Sequence, residues 1–593
     1  MATVADATLL KKVWRRFIRK RLRAHRFVEL ELARDPLEWL AFDWELDQAV
    51  ATLSTEARAG RYRAGAPEII RSAKSPGLTR PLASIQPLDL IFYKAIVSSA
   101  EASLLGQMPP WTRPGRFDAR AEDESPAESG WFRSFLRRQG QIWRITQNHA
   151  FVVETDIANY FPYIHLPTVS AVMLENSSLS HEVVRILEHM LTQFSPLTEY
   201  RQRPTLGLPQ DAFDCSRVIA HAYLKSVDDE FESEGSADRY SRYMDDIVIG
   251  ANSQQEALGQ IRRIQLALER VGLYPNTAKT RVLPRDVFTA AYLKNENDYL
   301  GEVEERLKQQ QPVSRSEFRA RLRSHLSLTP QPARSWTRVL RRYYTISRRL
   351  EDDFLLDLAP RHLVEAPDSA RHIFDYLSAF RLTQKRFSEI CTALEQLAGV
   401  HEDIELLVQE HAATVPNLGD SRLRSAVADW ALERVKRYVP ESPRIASAAA
   451  VVLGKFGQPP HFEALEDLLE TMSADSVARQ QTLLVLLGGR RLSFDDFRTL
   501  TPAAGSQALS HIAFLRALHE AEPRAVKMSM MLLRPILRNG PHRHTVRARL
   551  LFLAPVVGDI APSERSRLAG YRDLLRGNAP RLRDVSGEEW YAK

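Results

Sequence analysis

The sequence predicts an α+β domain followed by an all-α domain of repeated helices, and three observations carry that expectation. Apolar, β-branched runs such as FVVETDI at 151–157 and DDIVIG at 245–250 alternate with helical stretches between about residues 60 and 290. Beyond about residue 315, strand-like runs give way to helical segments punctuated by Pro, Gly, Ser and Asp. At 593 residues, the chain also exceeds what one hydrophobic core sustains, so two or more domains are expected.

In chain order, residues 1–60 read as a basic helical region. Val13, Trp14, Phe17, Ile18 and Leu22 recur at helical spacing among the cations of KKVWRRFIRKRLRAHR, 11–26. Residues 61–290 form the α+β domain, with the acidic, Ser/Pro-containing stretch 122–130 expected as a surface loop. Residues 291–593 form the helical domain. Three segments there resemble one another, starting at Ser442, Ser473 and Ser506, with an N-cap serine expected at each start. The period of about thirty residues predicts paired helices stacked as an α-solenoid resembling HEAT repeats, with an irregular helical bundle as the alternative.

Composition excludes several classes. With 44% hydrophobic and 26% charged residues, the chain has neither the apolar runs of a membrane protein nor the depletion of a disordered one. Cys215 and Cys391 are the only cysteines, which excludes a disulfide framework or a cysteine-rich zinc site and predicts a reducing, cytoplasmic compartment. The basic N-terminus lacks an apolar signal core, in keeping with a cytoplasmic protein without a membrane partner. A net charge of +7 is modest, but three stretches, 11–26, 133–144 and 334–349, mix Arg with Trp, Phe or Tyr. That mixture suits nucleic-acid phosphates and base faces, and equally the solvated side of amphipathic helices.

The chemistry concentrates in acids. Asp245 and Asp246 enter an apolar strand-like run after Arg242-Tyr243-Met244. Neighbouring side chains on a regular strand face opposite ways, so two adjacent acids converge only at a tight turn between strands. RYSRY before and IVIG after fit such a hairpin. Asp156 ends another apolar strand, VVETD, just before the aromatic pair Tyr160-Phe161. Three carboxylates from two neighbouring strands match what two hard divalent cations require for in-line phosphoryl transfer to a 3′-hydroxyl.

These residues resemble the reverse transcriptases. TDIANYF looks like their first palm motif and YMDD like their third. Three further stretches match in the correct order: Lys74-Ser-Pro-Gly-Leu-Thr-Arg80, Gly207-Leu208-Pro209-Gln210 with Ser216, and Asn276-Thr277-Ala278-Lys279-Thr280. The resemblance covers about residues 61–290 and implies right-hand polymerase fingers and palm. It implies that Asp156, Asp245, Asp246 and Ile157 hold Mg²⁺, with Mn²⁺ as a substitute, and that Lys279 protonates pyrophosphate. Lys74 and Arg80 would grip the triphosphate of a dNTP, Gln210 would frame the nucleotide, and the ring of Phe161 would exclude a ribose 2′-OH.

One departure stands out. Asp211 occupies a position where many members of the family carry Gly, with Asp214 beyond, and a carboxylate there would repel a template phosphate. The helical C-terminal half resembles the bacterial abortive-infection reverse transcriptases of the AbiK and AbiA kind. That likeness implies antiphage defence, homo-oligomers, and protein-primed, template-independent synthesis, with Tyr591 as one candidate priming hydroxyl. Two rivals stand beside this reading. One is a conventional reverse transcriptase copying a noncoding RNA; the other is a non-catalytic helical scaffold, against which the intact acids count.

Overall fold

A computed structural model of the chain describes residues 3–19, 36–106, 112–113, 130–195, 205–211, 213–232, 239–328, 333–397, 399–414, 420–473, 476–488, 491–500 and 517. They fall into two units. Among the described residues, the first lies within Met1–Lys20, Asp47–Ile69 and Pro81–Tyr299, and the second within Arg21–Leu46, Ile70–Arg80 and Leu300–Lys593. The expected sequence of an α+β region followed by a helical one is what the chain forms. No helix of the described residues is long and apolar enough to cross a membrane.

The first unit opens with α1 (Ala7–Val13), capped by Asp6, whose side chain accepts from the Leu9 amide at 2.9 Å. It continues into a π-helical stretch, Trp14–Ile18. Leu10, Val13, Trp14 and Ile18 are buried while Lys12, Arg15 and Arg16 are exposed, so the apolar stripe read from the sequence faces the core. Leu22 and the rest of the basic run lie outside the described residues. So does the acidic stretch 122–129.

Two antiparallel runs, β1 (Glu68–Ser75) and β2 (Leu78–Ser84), make a separate two-stranded sheet ahead of α2 (Pro87–Gly106). The main sheet has five strands in the order β3-β5-β6-β4-β7. These are β3 (Thr112–Arg113), β4 (Phe151–Asp156), β5 (Tyr240–Tyr243), β6 (Asp246–Ala251) and β7 (Arg281–Pro284). The pairings β4–β6, β4–β7 and β5–β6 are antiparallel, and β3 joins β5 in parallel. Every residue of central β6 is buried, which explains why IVIG reads as an unbroken apolar run rather than an alternation. The helix α3 (Gly130–Asn148) presses Ile142 and Ile145 onto Val152 and Val248, with Phe288 completing the cluster.

The second unit stacks helices in two layers. Along one layer α9 (Ala333–Arg349), α11 (Ala370–Leu377), α13 (Glu402–Thr414), α15 (Pro443–Phe456) and α17 (Val477–Gly488) follow one another. Along the other run α10 (Ala359–Glu365), α12 (Gln384–Gln396), α14 (Ser421–Tyr438) and α16 (Pro459–Leu468). The repeated segments beginning at Ser442 and Ser473 therefore give the same layer of successive helix pairs. Their caps differ from expectation. Ser442 makes no side-chain cap bond, and before α17 it is Ser476, not Ser473, that accepts from the Arg479 amide at 3.1 Å. Ser506 lies outside the described residues.

The basic aromatic stretch 334–349 is α9, and its rings are core rather than a base-stacking face. Trp336, Tyr343 and Tyr344 are buried. The Trp336 indole N–H donates to the His325 carbonyl at 3.1 Å, and the Tyr344 hydroxyl meets His362 Nδ1 at 2.7 Å. Two of its cations are engaged as well: Arg342 pairs with Glu304 at 3.1 Å, and Arg341 with Asp368.

Candidate functional site

The site is built on the end of the β5–β6 hairpin. Tyr243 pairs with Asp246, leaving Met244 and Asp245 as a two-residue loop. So tight a hairpin needs a positive φ in the loop, usually supplied by Gly or Asn, and here Met244 takes it at 57°. Asp245 thus sits in the turn, half-buried, while Asp246 starts the strand and is 6% exposed. On β4, Asp156 lies directly across from Asp246. Carboxylate oxygens of Asp156, Asp245 and Asp246 come within 4.8 Å of one another.

Like charges placed opposite one another destabilise a sheet, so the arrangement calls for cations. Two side chains answer. Lys279 Nζ lies 3.0 Å from Asp156 Oδ2, and Arg138 Nη2 lies 3.6 Å from Asp246 Oδ2 while its guanidinium stacks over Tyr243 at 4.9 Å. Lys279 is brought there by its loop: the Asn276 amide donates to the Asp156 carbonyl at 2.6 Å, and the Lys279 amide to the Asn276 carbonyl at 3.0 Å. Three convergent, mostly buried carboxylates form a hard-oxygen donor set, which fits Mg²⁺ or Mn²⁺.

A buried network holds the turn. Arg242, with no exposed surface, donates from Nη1 to the Met244 carbonyl at 3.0 Å. Its other face grips Asp228 on α6 (Lys225–Glu232), Nε to Oδ1 at 2.8 Å, and the Tyr240 hydroxyl donates to the same oxygen at 2.8 Å. Burial opposes a charge on Arg242, but the adjoining Asp228 carboxylate outweighs it and holds the guanidinium pKa above its ordinary value.

The remaining expected residues are distributed as follows. Ile157 follows Asp156, and its amide donates to the Asp245 carbonyl at 3.1 Å, tying the two aspartate segments by main chain. Phe161 lies on the short helix α4 (Tyr160–Tyr163), half-buried, edge-on to Tyr160 at 5.5 Å, and its carbonyl accepts from the Leu208 amide. Gln210 accepts through its carbonyl from the Ala83 amide at 3.0 Å. Lys74 and Arg80 are exposed on the β1–β2 hairpin, within the second unit. Tyr591 lies outside the described residues.

Asp211 has a structural role that the sequence did not suggest. Its carboxylate accepts from the amides of Phe213 at 2.8 Å, Cys215 at 3.2 Å and Ser216 at 2.8 Å, capping α5 (Cys215–Tyr223). Buried Asp214 lies 3.3 Å from the Arg217 guanidinium. Both carboxylates thus have partners within the protein at the start of α5. Arg138, Arg242 and Asp228 were not anticipated. The first carried a weak signal as part of the 133–144 cluster, and the other two become meaningful only through tertiary contacts.

No protein-family profile matches the chain, and no curated protein matches its sequence.

Proposed function

We propose that this chain is a nucleotidyltransferase of the reverse-transcriptase type, a DNA polymerase whose α+β unit serves as fingers and palm and whose helical unit is a HEAT-like array. The observation that carries the reading is the convergence of Asp156, Asp245 and Asp246 across the mouth of the β4–β6 pair, with oxygens within 4.8 Å. It supports reading this hairpin turn as the site of a pair of hard cations.

The chain's own residues would act as follows. The three aspartates hold divalent cations, which when bound lower the charge barrier to attack on a dNTP α-phosphate. Arg242 and the Met244 carbonyl keep Asp245 in register with Asp246. Lys279, whose Nζ lies 3.0 Å from Asp156 Oδ2, would supply a proton to the departing pyrophosphate. Phe161 stands as the barrier to a ribose 2′-OH, and Lys74, Arg80 and Gln210 bind the incoming nucleotide.

The same resemblance extends the proposal to antiphage defence, a homo-oligomeric state and DNA synthesis primed on the protein. With Asp211 accounted for as a helix cap, template independence rests on that resemblance, and copying of a noncoding RNA is the rival. The test is incubation of the purified protein with Mg²⁺ and each dNTP, with and without added RNA. DNA that leaves the protein only on proteolysis, formed without template, supports the protein-primed reading; loss of that attachment in Tyr591→Phe would identify the hydroxyl. Product complementary to added RNA and freely released supports the rival. No incorporation under either condition removes the polymerase reading.

A further inference from the structure

The β1–β2 sheet has only two strands, and an isolated pair of strands is marginal in water. Something else must satisfy its outer edge. Alternate residues of a strand direct their amides to the same edge, and on β1 the amides of Arg71 and Ala73 are both taken by carboxylates. Arg71 N donates to Glu402 Oε2 at 2.8 Å; Ala73 N donates to Asp403 Oδ1 and Oδ2 at 3.0 and 3.1 Å. The Ser72 hydroxyl adds a bond to Asp403 Oδ2 at 2.9 Å. Glu402 and Asp403 are the first two residues of α13, in the middle of the stacked array. Asp403, Ser72 and Ala73 are all buried, so the bonds to Asp403 are shielded from water and from competing donors. All of these residues belong to the second unit.

We infer that Asp403 is a positioning residue: it fixes β1 from the helical array and so sets the conformation of the hairpin that presents Lys74 and Arg80. The inference rests on the nucleotide-binding role given to those two cations above. It makes the affinity for nucleotide a property that the helical array controls, through a strand more than three hundred residues away in sequence.

The test uses the full-length chain and two readouts, amide hydrogen exchange of the 70–80 segment and steady-state kinetics with dNTP. In Asp403→Ala, exchange at Ala73 rises and KM rises, each about tenfold or more, as loss of a charge-assisted hydrogen bond requires. The value of kcat stays within about twofold, because the aspartate site is untouched. Asp403→Asn, which keeps one acceptor and the shape, recovers a large part of both and serves if the alanine variant does not fold. Unchanged exchange overturns the anchor. Faster exchange with unchanged KM, or a fall in kcat alone, overturns the positioning role. If the wild-type chain incorporates no nucleotide, the polymerase reading fails, while the exchange result still decides whether Asp403 holds the strand.

Discussion

Arg242 and Asp228, both without exposed surface, are joined Nε to Oδ1 at 2.8 Å, and the same guanidinium holds the Met244 carbonyl of the aspartate turn at 3.0 Å. Arg242→Met strands a buried carboxylate and is expected to cost about 3–5 kcal/mol of stability. Adding Asp228→Asn removes that charge and restores most of the Tm. Incorporation stays low in the double variant, because the Met244 carbonyl still lacks its donor. Thermal melting alongside an incorporation assay separates the two effects, and wild-type activity in the double variant would show that the turn stands without Arg242.

Asp245→Ala removes a half-buried side chain from a turn, so the fold is kept while one of three converging ligands is lost. Nucleotide incorporation is expected to fall on the order of a thousandfold, the scale seen when a major electrostatic contribution is deleted. Incorporation near the wild-type rate in the folded variant would end the assignment.

Phe161→Ala is expected to admit ribonucleotides, since it removes the ring proposed above to bar the 2′-OH. The readout is the ratio of dNTP to NTP incorporation, and an unchanged ratio in an active variant would take Phe161 out of the nucleotide site.

Acid should weaken the helical unit. Burial first of all pushes His325, His362, His372 and His411 down to about 4, against an ordinary 6.5. The folded chain keeps them neutral while the unfolded chain takes up protons below about pH 6.5, so stability is complete above that value and declines as pH falls toward 4. Glu405, raised by burial, works in the opposite sense but is one group against four. Melting temperatures measured at pH 7.5, 5.5 and 4.5 should fall in that order, and a flat series would contradict the burial of these rings.

Asp211→Ala should lower stability by about 1–2 kcal/mol, the upper range for a lost helix cap, since three amides lose their acceptor. Template requirement should not change. A variant with unaltered Tm but a new dependence on template would return Asp211 to the nucleic-acid path.

The aspartate hairpin was legible because alternation on a strand leaves adjacent acids only one way to converge. Helix pairing was legible from like segments, although their caps were misplaced by three residues at Ser476. The capping role of Asp211 was not legible, because a charge beside a motif looks outward until a helix N-terminus is seen to claim it. For α9 the signal was present and given the wrong weight: Trp336, Val339, Leu340, Tyr343 and Tyr344 recur at helical spacing, the mark of a buried stripe. Partnerships such as Arg138 with Asp246, or Ala73 with Asp403, bridge long stretches of chain and leave no local trace.

Helices stacked in pairs form a quasi-one-dimensional body that bends by sharing a small rotation among all its interfaces. The residues that hold β1 lie on α13, with α11 and α15 on either side in the same layer, rather than on a terminal helix. A displacement of α13 would therefore reach β1 directly, because Glu402 and Asp403 hold the amides of Arg71 and Ala73.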